Sequence, residues 1–362
     1  MPGSTKSSPA DNPPPSLWAV ILAGGIGSRF WPVSTPAKPK QLLPLAGPDP
    51  LIHQTVERLR PLVNDDHIRI LTGHRLAGPL LSAVPGLGPS NLLQEPMAKG
   101  TAPVLAWAAL EIARVDPDAV MASFHADHVI EPAEAFHALI RDVAAAAVKH
   151  QRLFTIGAVP TRAETGYGYI RPGAPLAGFS GMAEVATFEE KPSAETAERY
   201  VREGYLWNTG LFVFPVRLFL DEIRRHTPEV AAHLPLLEAG NVHEFFESVP
   251  VLTVDVGLLE RSRAVAVARA TFSWDEVGAW DAVLRTRPAD ANGNVSMGDA
   301  HVVDASGCVA WAEDGSVVLF GTQDLVVVRT DTITFVAPRN RVAELKNLLA
   351  QLPVRLARPG EA

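Results

Sequence analysis

The stretch from 19 to 45, AVILAGGIGSRFWPVSTPAKPKQLLPL, constrains this chain more than any other. Leu17 to Leu22 form an apolar run of the length and texture of a strand buried on both faces. The run stops at Ala23-Gly24-Gly25-Ile26-Gly27, where three glycines let backbone N–H groups approach an anion closely. Arg29 and Lys40 follow, and two cations beside such a loop suit a triphosphate whose charge is neutralised during reaction. The stretch reads as a strand feeding a phosphate cradle, with a plain glycine-rich turn as the structural alternative. Two other glycine loops do not fit: G-x-G-x-x-G would need its third glycine where Phe30 stands, and G-x-x-x-x-G-K-[ST] has no match here.

Composition narrows the partners. Forty acidic against 32 basic residues give a net charge of -8, which argues against a nucleic-acid surface while leaving room for a local phosphate site. The single cysteine, Cys308, allows no intrachain disulfide, and no apolar run approaches the roughly 18 residues of a membrane span. The expected location is the cytoplasm. Residues 1–16, rich in Pro and Ser, have no apolar face and are expected to be disordered.

Along the chain, LIHQTVERLRPLV at 51–63 has helical apolar spacing and HIRIL at 67–71 reads as a second strand, completing a βαβ unit. A helix over 101–114 takes Thr101 as N-cap, and its N-terminus makes EPMAKGTAP a candidate second wall of a nucleotide site. AVMASF at 119–124 runs as a buried strand into His125-Ala126-Asp127-His128, which places Asp127 at a strand's carboxyl end as a metal-ligand candidate. The two histidines also permit an HxxH zinc reading, but no third soft ligand is evident and solvated loop histidines are the commoner case. Helices over 133–148 and 193–203 and strands over 153–158 and 264–270 follow.

From residue 160 the texture suits a sugar. Gly166-Tyr167-Gly168-Tyr169 alternates glycine with flat amphipathic rings, though a turn with core tyrosines fits equally. Lys191 suits a phosphate and Glu190 a hydroxyl, against a solvated surface pair, and the Asn208 amide both donates and accepts. Beyond about 288, HVV, CVAW, SVVLF, LVVVRT and ITFVA are short apolar runs at roughly ten-residue spacing, as in a small all-β unit, and RVAELKNLLAQL at 341–352 closes as an amphipathic helix.

GGIGSRFWP followed by PKQLLPL resembles the signature of the sugar nucleotidyltransferases, most closely the mannose-1-phosphate guanylyltransferases. EPMAKGTAP, HADH, GYGYI, FEEKP, LWNTGLF and FSWDEVGAW resemble further blocks of that family, in the family's order, across residues 19–281. The resemblance implies a Rossmann-like, GT-A-like α/β catalytic domain over 17–288 with a mixed, mostly parallel sheet, then a small β-helix-like domain over 289–362. It implies transfer of a guanylyl group from GTP to mannose 1-phosphate, giving GDP-mannose and pyrophosphate, and is compatible with a homodimer. It assigns Leu22, Ala23, Gly24, Gly25, Gly27, Glu95, Pro96 and Thr101 to the nucleotide, Gly168, Glu190, Lys191 and Asn208 to the sugar phosphate, and catalysis to Arg29 and Lys40. Loss of either cation is expected to lower turnover far more than stability.

A divalent metal, Mg²⁺, is expected on Asp127 and a second carboxylate, for which Glu276 is favoured over Asp275. The family reads Trp-Ser-Asp-Val-Gly where this chain has Trp274-Asp275-Glu276-Val277-Gly278, so register selects Glu276 and side-chain type Asp275. Gly100 stands where the family usually has Asn. Those two departures leave room for a non-catalytic sugar-nucleotide-binding subunit; the enzymatic alternative is another sugar-1-phosphate nucleotidyltransferase, using glucose 1-phosphate with dTTP, UTP or ATP. At 362 residues, the isomerase domain of longer relatives is expected to be missing.

Overall fold

A computed structural model describes residues 14–25 and 27–357. Thirteen of the tail residues expected to be disordered, and Ile26 of the glycine loop, lie outside the described residues. None of the described helices is long and apolar enough to cross a membrane.

The apolar run that opens the chain is strand β1 (Leu17–Leu22). Its side chains alternate: Ala19 and Ile21 pack on one side of a sheet with helices 51–59 and 133–150, Trp18 and Val20 on the other with helices 101–115 and 216–226. This period of two is what a strand sandwiched between helix layers requires. Around β1 lie β2 (Ile68–Gly73), β3 (Leu92–Glu95) and β4 (Val120–His125), these four parallel to one another. A short β5 (His128–Glu131) leaves the sheet, and β6 (Leu153–Ala158), β7 (Gly168–Pro175), β8 (Met182–Glu190), β9 (Leu206–Pro215) and β10 (Val265–Arg269) complete it. The order is β3-β2-β1-β4-β9-β6-β10-β8-β7. The sheet is mixed, as expected. Its antiparallel share exceeds that of a mostly parallel sheet, because β9 inserts antiparallel between β4 and β6. β11 (Ser273–Glu276) pairs with β5 outside the main sheet.

The remaining strands are β12 (Val295–Val303), β13 (Val309–Phe320), β14 (Leu325–Arg329) and β15 (Thr334–Pro338). β12, β13 and β14 are parallel although only a few residues join them, too short a link for a helical crossover, so the chain coils. Two expected strands, CVAW and SVVLF, are one: β13 passes through Gly315 at φ +65° without turning back. Gly298 holds the coil's tightest contact, at φ +71°, where a Cβ would lie 1.9 Å from the Ala312 carbonyl oxygen. The expected terminal helix is divided into a 3₁₀ segment, 339–344, and short helices 345–349 and 354–357. Its buried anchors, Val342 and Leu345, stand three apart, the 3₁₀ repeat.

The coil docks on the stretch that follows the glycine loop. Phe30 meets Trp280 edge-on at 5.3 Å, Trp280 meets Trp311 at 5.7 Å and Trp31 meets Phe335 at 5.4 Å. The indole nitrogens complete the joint: Trp280 donates to the Trp31 carbonyl at 3.1 Å and Trp31 to the Leu356 carbonyl at 3.0 Å. Phe30 and Trp31 therefore face this joint as buried packing residues.

Candidate active site

The chain leaves β1 toward β2 on one side of the sheet and β4 on the other, the switch point at which open α/β sheets form a crevice at their strands' carboxyl ends. A cleft of about 830 Å³, its open mouth included, lies there. Leu22, Ala23, Gly24, Gly25, Lys40, Glu95, Thr101 and Asp127 line it, from five separate segments. Pro96 is exposed and does not line the cleft.

The loop is held from below. The buried Gln41 amide donates to the Ala23 carbonyl at 2.8 Å, Thr72 donates to the same oxygen at 3.3 Å, and the Ala23 N–H donates to Leu71 at 2.9 Å. Gly27 is left-handed at φ +71°, and a Cβ there would lie 2.6 Å from the Cβ of Lys40, whose stem runs against it. Gly24 abuts Glu95: a Cβ would stand 2.8 Å from Glu95 Oε1. Burial pushes the Glu95 carboxyl above its ordinary range.

Lys40 Nζ forms an ion pair with Asp127 and donates to the Val277 carbonyl at 3.3 Å. Burial pushes the Asp127 carboxyl up, but the Lys40 ammonium, with His128 and His125, outweighs it and holds that carboxyl well below its usual range. Glu276 is raised by burial first and by Asp127 second, with Lys40 and Arg29 opposing. A Cβ on Gly278 would lie 3.4 Å from Glu276 Oε1 and 3.7 Å from both terminal nitrogens of Arg29, so those two side chains flank one glycine. Asp275 faces elsewhere, in a bidentate pair with Arg285 at 2.6 and 3.0 Å. Asp127 and Glu276 thus act on each other electrostatically, whereas Asp275 is engaged by Arg285.

His125 and His128 are not solvated loop residues. His125 lines the cleft, His128 is buried with no hydrogen-bond partner on Nδ1 among the described residues, and burial lowers both imidazoles. Their nitrogens and the Asp127 carboxylate lie within 4.8 Å of one another. Thr101 does not cap its helix: Gly100 does, at φ +84°, and the Thr101 hydroxyl accepts instead from Val254 N–H at 2.8 Å. A Cβ at Gly100 would stand 2.4 Å from the Leu252 carbonyl, so no side chain fits there in this chain.

A second group lies where β7, β8 and β9 adjoin. Gly168 pairs with Glu190, and a Cβ on it would be 2.6 Å from Glu190 Oε2 and 3.3 Å from the Asn208 Cβ. Lys191 takes a left-handed φ of +50°, a strained state for a lysine that clusters at functional positions, and donates to Glu190 at 2.6 Å. The Asn208 amide is engaged internally, accepting from Thr155 Oγ1 at 2.7 Å and donating to Asp255 Oδ1 at 2.7 Å. Tyr169 is a core residue, fully buried, its hydroxyl accepting from Glu164 N–H. Sequence reasoning gave Gln41 no role beyond its place in PKQLLPL and missed Asp255 and Thr155, whose signals are long-range contacts carried by no local motif.

With this geometry in place, the chain's class follows: it belongs to the nucleotidyl transferase family, which it matches over residues 18–293, and is an enzyme of that class. Residues 298–352 match a mannose-phosphate isomerase/GMP-like β-helix domain. It is 36% identical over 352 residues to the mannose-1-phosphate guanylyltransferase of Escherichia coli K12, covering 93% of this chain and 73% of that one. It is 33% identical over 351 residues to an alginate biosynthesis protein of Pseudomonas aeruginosa, covering 92% and 71%. A crystal structure from Thermus thermophilus, described as a mannose-1-phosphate geranyltransferase, superposes with a TM-score of 0.86 at 32% identity, covering 93% of this chain and 99% of that one.

Burial, then the neighbouring Glu190 carboxylate, pushes the Asp255 carboxyl up to about 6, against Asn208 and Lys191, which pull it down. The folded state thus holds this proton more tightly than the unfolded chain. That contribution is complete below about pH 4 and is lost as pH rises through about 6. Urea midpoints should show Asp255→Asn gaining stability relative to wild type from pH 4.5 to pH 7.5; a gap independent of pH would contradict the assignment.

Proposed function

We propose that this chain transfers the guanylyl group of GTP to mannose 1-phosphate, forming GDP-mannose and releasing pyrophosphate. The observation that carries the reading is the convergence of a glycine loop, Lys40 and two carboxylates at the sheet's switch point, on a chain whose relatives include a mannose-1-phosphate guanylyltransferase. A sugar-phosphate oxygen attacks the α-phosphorus in line, a new P–O bond forms, and the bond to the bridging oxygen breaks as pyrophosphate leaves. The attacking monoester, with a second pKa near about 6, is already largely dianionic and needs no protein base. Positioning and charge neutralisation carry the rate.

In this reading Leu22 to Gly25, Gly27 and Thr101 receive the nucleotide, and the Glu95 carboxylate accepts from the N1–H and N2–H of guanine, donors that adenine lacks. Arg29 and Lys40 stabilise the departing pyrophosphate. Lys191 takes the sugar phosphate, and Glu190, which lies against Gly168, takes hexose hydroxyls. Asp127 and Glu276 would hold Mg²⁺, which when bound neutralises phosphate charge. We place the enzyme in the cytoplasm.

A panel crossing GTP, ATP, UTP and dTTP with three hexose 1-phosphates, scored by pyrophosphate release, should single out GTP with mannose 1-phosphate. A preference for another pair would replace the substrate assignment.

The two cations are not equivalent, which revises the expectation that losing either spares stability. Lys40 pairs with a buried carboxylate, so Lys40→Ala strands Asp127 and should cost about 3–5 kcal/mol, most of it recovered in Lys40→Ala/Asp127→Asn. Arg29 makes no ion pair among the described residues, and Arg29→Ala should melt near wild type. Each single variant should lose turnover on the order of a hundredfold. Near-normal turnover in both would remove the phosphate-cradle assignment.

For the metal, turnover titrated with Mg²⁺ should collapse in Asp127→Asn and Glu276→Gln and change little in Asp275→Asn, which loses only the Arg285 pair. The reverse order for the last two would move the ligand to Asp275.

A further inference from the structure

We infer that His125, Asp127 and His128 form a second metal site, one that takes a borderline divalent cation such as Zn²⁺ beside Lys40 and thereby inhibits the enzyme. The inhibition rests on the reading of Asp127 as a ligand to Mg²⁺; the binding of Zn²⁺ does not.

The two histidines are groups at the cleft that the transfer reaction leaves without a task. Neither ring makes a hydrogen bond among the described residues, and His128 is 6% exposed, with Nδ1 sealed from solvent. An imidazole always carries at least one N–H, so a ring buried in this way is an uncommon and costly feature. The turn from β4 to β5 that carries both rings is pinned from three sides. Arg58 donates to the His128 carbonyl from two nitrogens, each at 3.0 Å, Val277 N–H donates to the Asp127 carbonyl at 2.9 Å, and Ala126 N–H to the Leu22 carbonyl at 3.2 Å. His128 stands edge-on to Trp274 at 5.2 Å, and His125 lies against Gly210, where a Cβ would be 2.9 Å from Nε2. The two imidazoles are 4.8 Å apart, centre to centre.

The donor set suits a cation softer than Mg²⁺. One ligand atom from each of His125, Asp127 and His128 lies within 4.8 Å of the others. Three atoms so spaced share a point within about 2.8 Å of each, and zinc bonds of about 2.0–2.2 Å then draw each ligand in by less than about 1 Å. Two imidazoles and one carboxylate are a set that zinc takes while a fourth position stays open. Here that position faces the cleft, which His125 and Asp127 line. Mg²⁺ prefers oxygen and does not compete for the imidazoles.

Two features make the site a reversible one. Ligating histidines ordinarily donate their other ring N–H to a carboxylate or carbonyl, and neither does so here among the described residues. The Lys40 ammonium already pairs with Asp127, and a dication drawn to the same carboxylate repels it. Occupancy therefore removes Asp127 from Mg²⁺ and disturbs Lys40 together.

The test uses the full chain without an affinity tag, in buffer free of phosphate. Zn²⁺ is titrated against a chromophoric chelator, Co²⁺ binding is followed by its visible spectrum, and Mg²⁺-dependent pyrophosphate release is followed as Zn²⁺ rises. Wild type should bind a Zn²⁺ whose affinity falls at least about 10-fold in His125→Gln and far less in Glu276→Gln. Co²⁺ should give the intense bands of tetrahedral coordination in wild type and lose them in His125→Gln. Inhibition, scored against each protein's own rate without Zn²⁺, should need at least about 10-fold more Zn²⁺ in His125→Gln. Zn²⁺ should also raise the melting temperature of Lys40→Ala more than that of wild type, since the stranded carboxylate gains a cation. Equal Zn²⁺ affinity in wild type and His125→Gln overturns the inference, as does a loss confined to Glu276→Gln, which places the ion on the Mg²⁺ ligands. If His125→Gln does not fold, the wild-type Co²⁺ spectrum decides, and weak octahedral bands overturn the inference. Zn²⁺ held through His125 by an enzyme that keeps its full turnover overturns it as well. A wild type inactive on every hexose 1-phosphate that still binds Zn²⁺ through His125 overturns the functional reading and leaves the metal site standing.

Discussion

The ion pair between Lys40 and Asp127 is the interaction on which the site depends. It ties the segment after the glycine loop to the end of β4 and, through the Val277 carbonyl, to the residues after β11. Two charges removed from water recover their desolvation cost only with close geometry and further hydrogen bonds, so a pair of this kind is a weak source of stability. Its contribution is placement. With the lysine stem fixed against it, Gly27, at φ +71°, has no room for a side chain.

From that point the architecture extends in two directions. Toward β2 and β3, main-chain carbonyls are held by Gln41 and Thr72, and the wall ends at Glu95 against Gly24. Toward β9 the sheet turns antiparallel, bringing Asn208 beside Thr155 and placing Glu190, Gly168 and Asp255 on the far side. The parallel half thus lines the cleft, and the antiparallel half carries the second polar group. The division follows from strand polarity: parallel strands gather their carboxyl ends at one edge, and antiparallel insertion offers chain ends and bulges.

Much of this was legible in the sequence because it is encoded locally. The continuous apolar run at Leu17 to Leu22, the glycines after it and the acidic residue after AVMASF each announce a strand, a close approach or a strand end within a few residues. What sequence did not show depends on residues far apart. The engagement of Asn208 needs Thr155 and Asp255; the clash that keeps Gly100 free of a side chain needs Leu252. Register alone favoured Glu276 over Asp275, and the Arg285 side chain that pairs with Asp275, ten residues on, was not visible to it. CVAW and SVVLF divide at an Asp-Gly that resembles a turn, yet pairing with β12 on both sides keeps β13 continuous.

The joint between the C-terminal coil and Phe30-Trp31 has a consequence for biosynthesis. The indole of Trp31 meets a carbonyl 325 residues later, and its ring packs on Phe335. A chain made from its N-terminus forms the βαβ core early, whereas the segment beside Arg29 obtains its apolar cover only when the last few dozen residues have left the ribosome. Until then Trp31, next to the glycine loop, lacks its partner Phe335 and the carbonyl that takes its indole proton, whereas Phe30 already has Trp280. Arrival of the coil then buries the Trp31 ring and pairs its indole nitrogen.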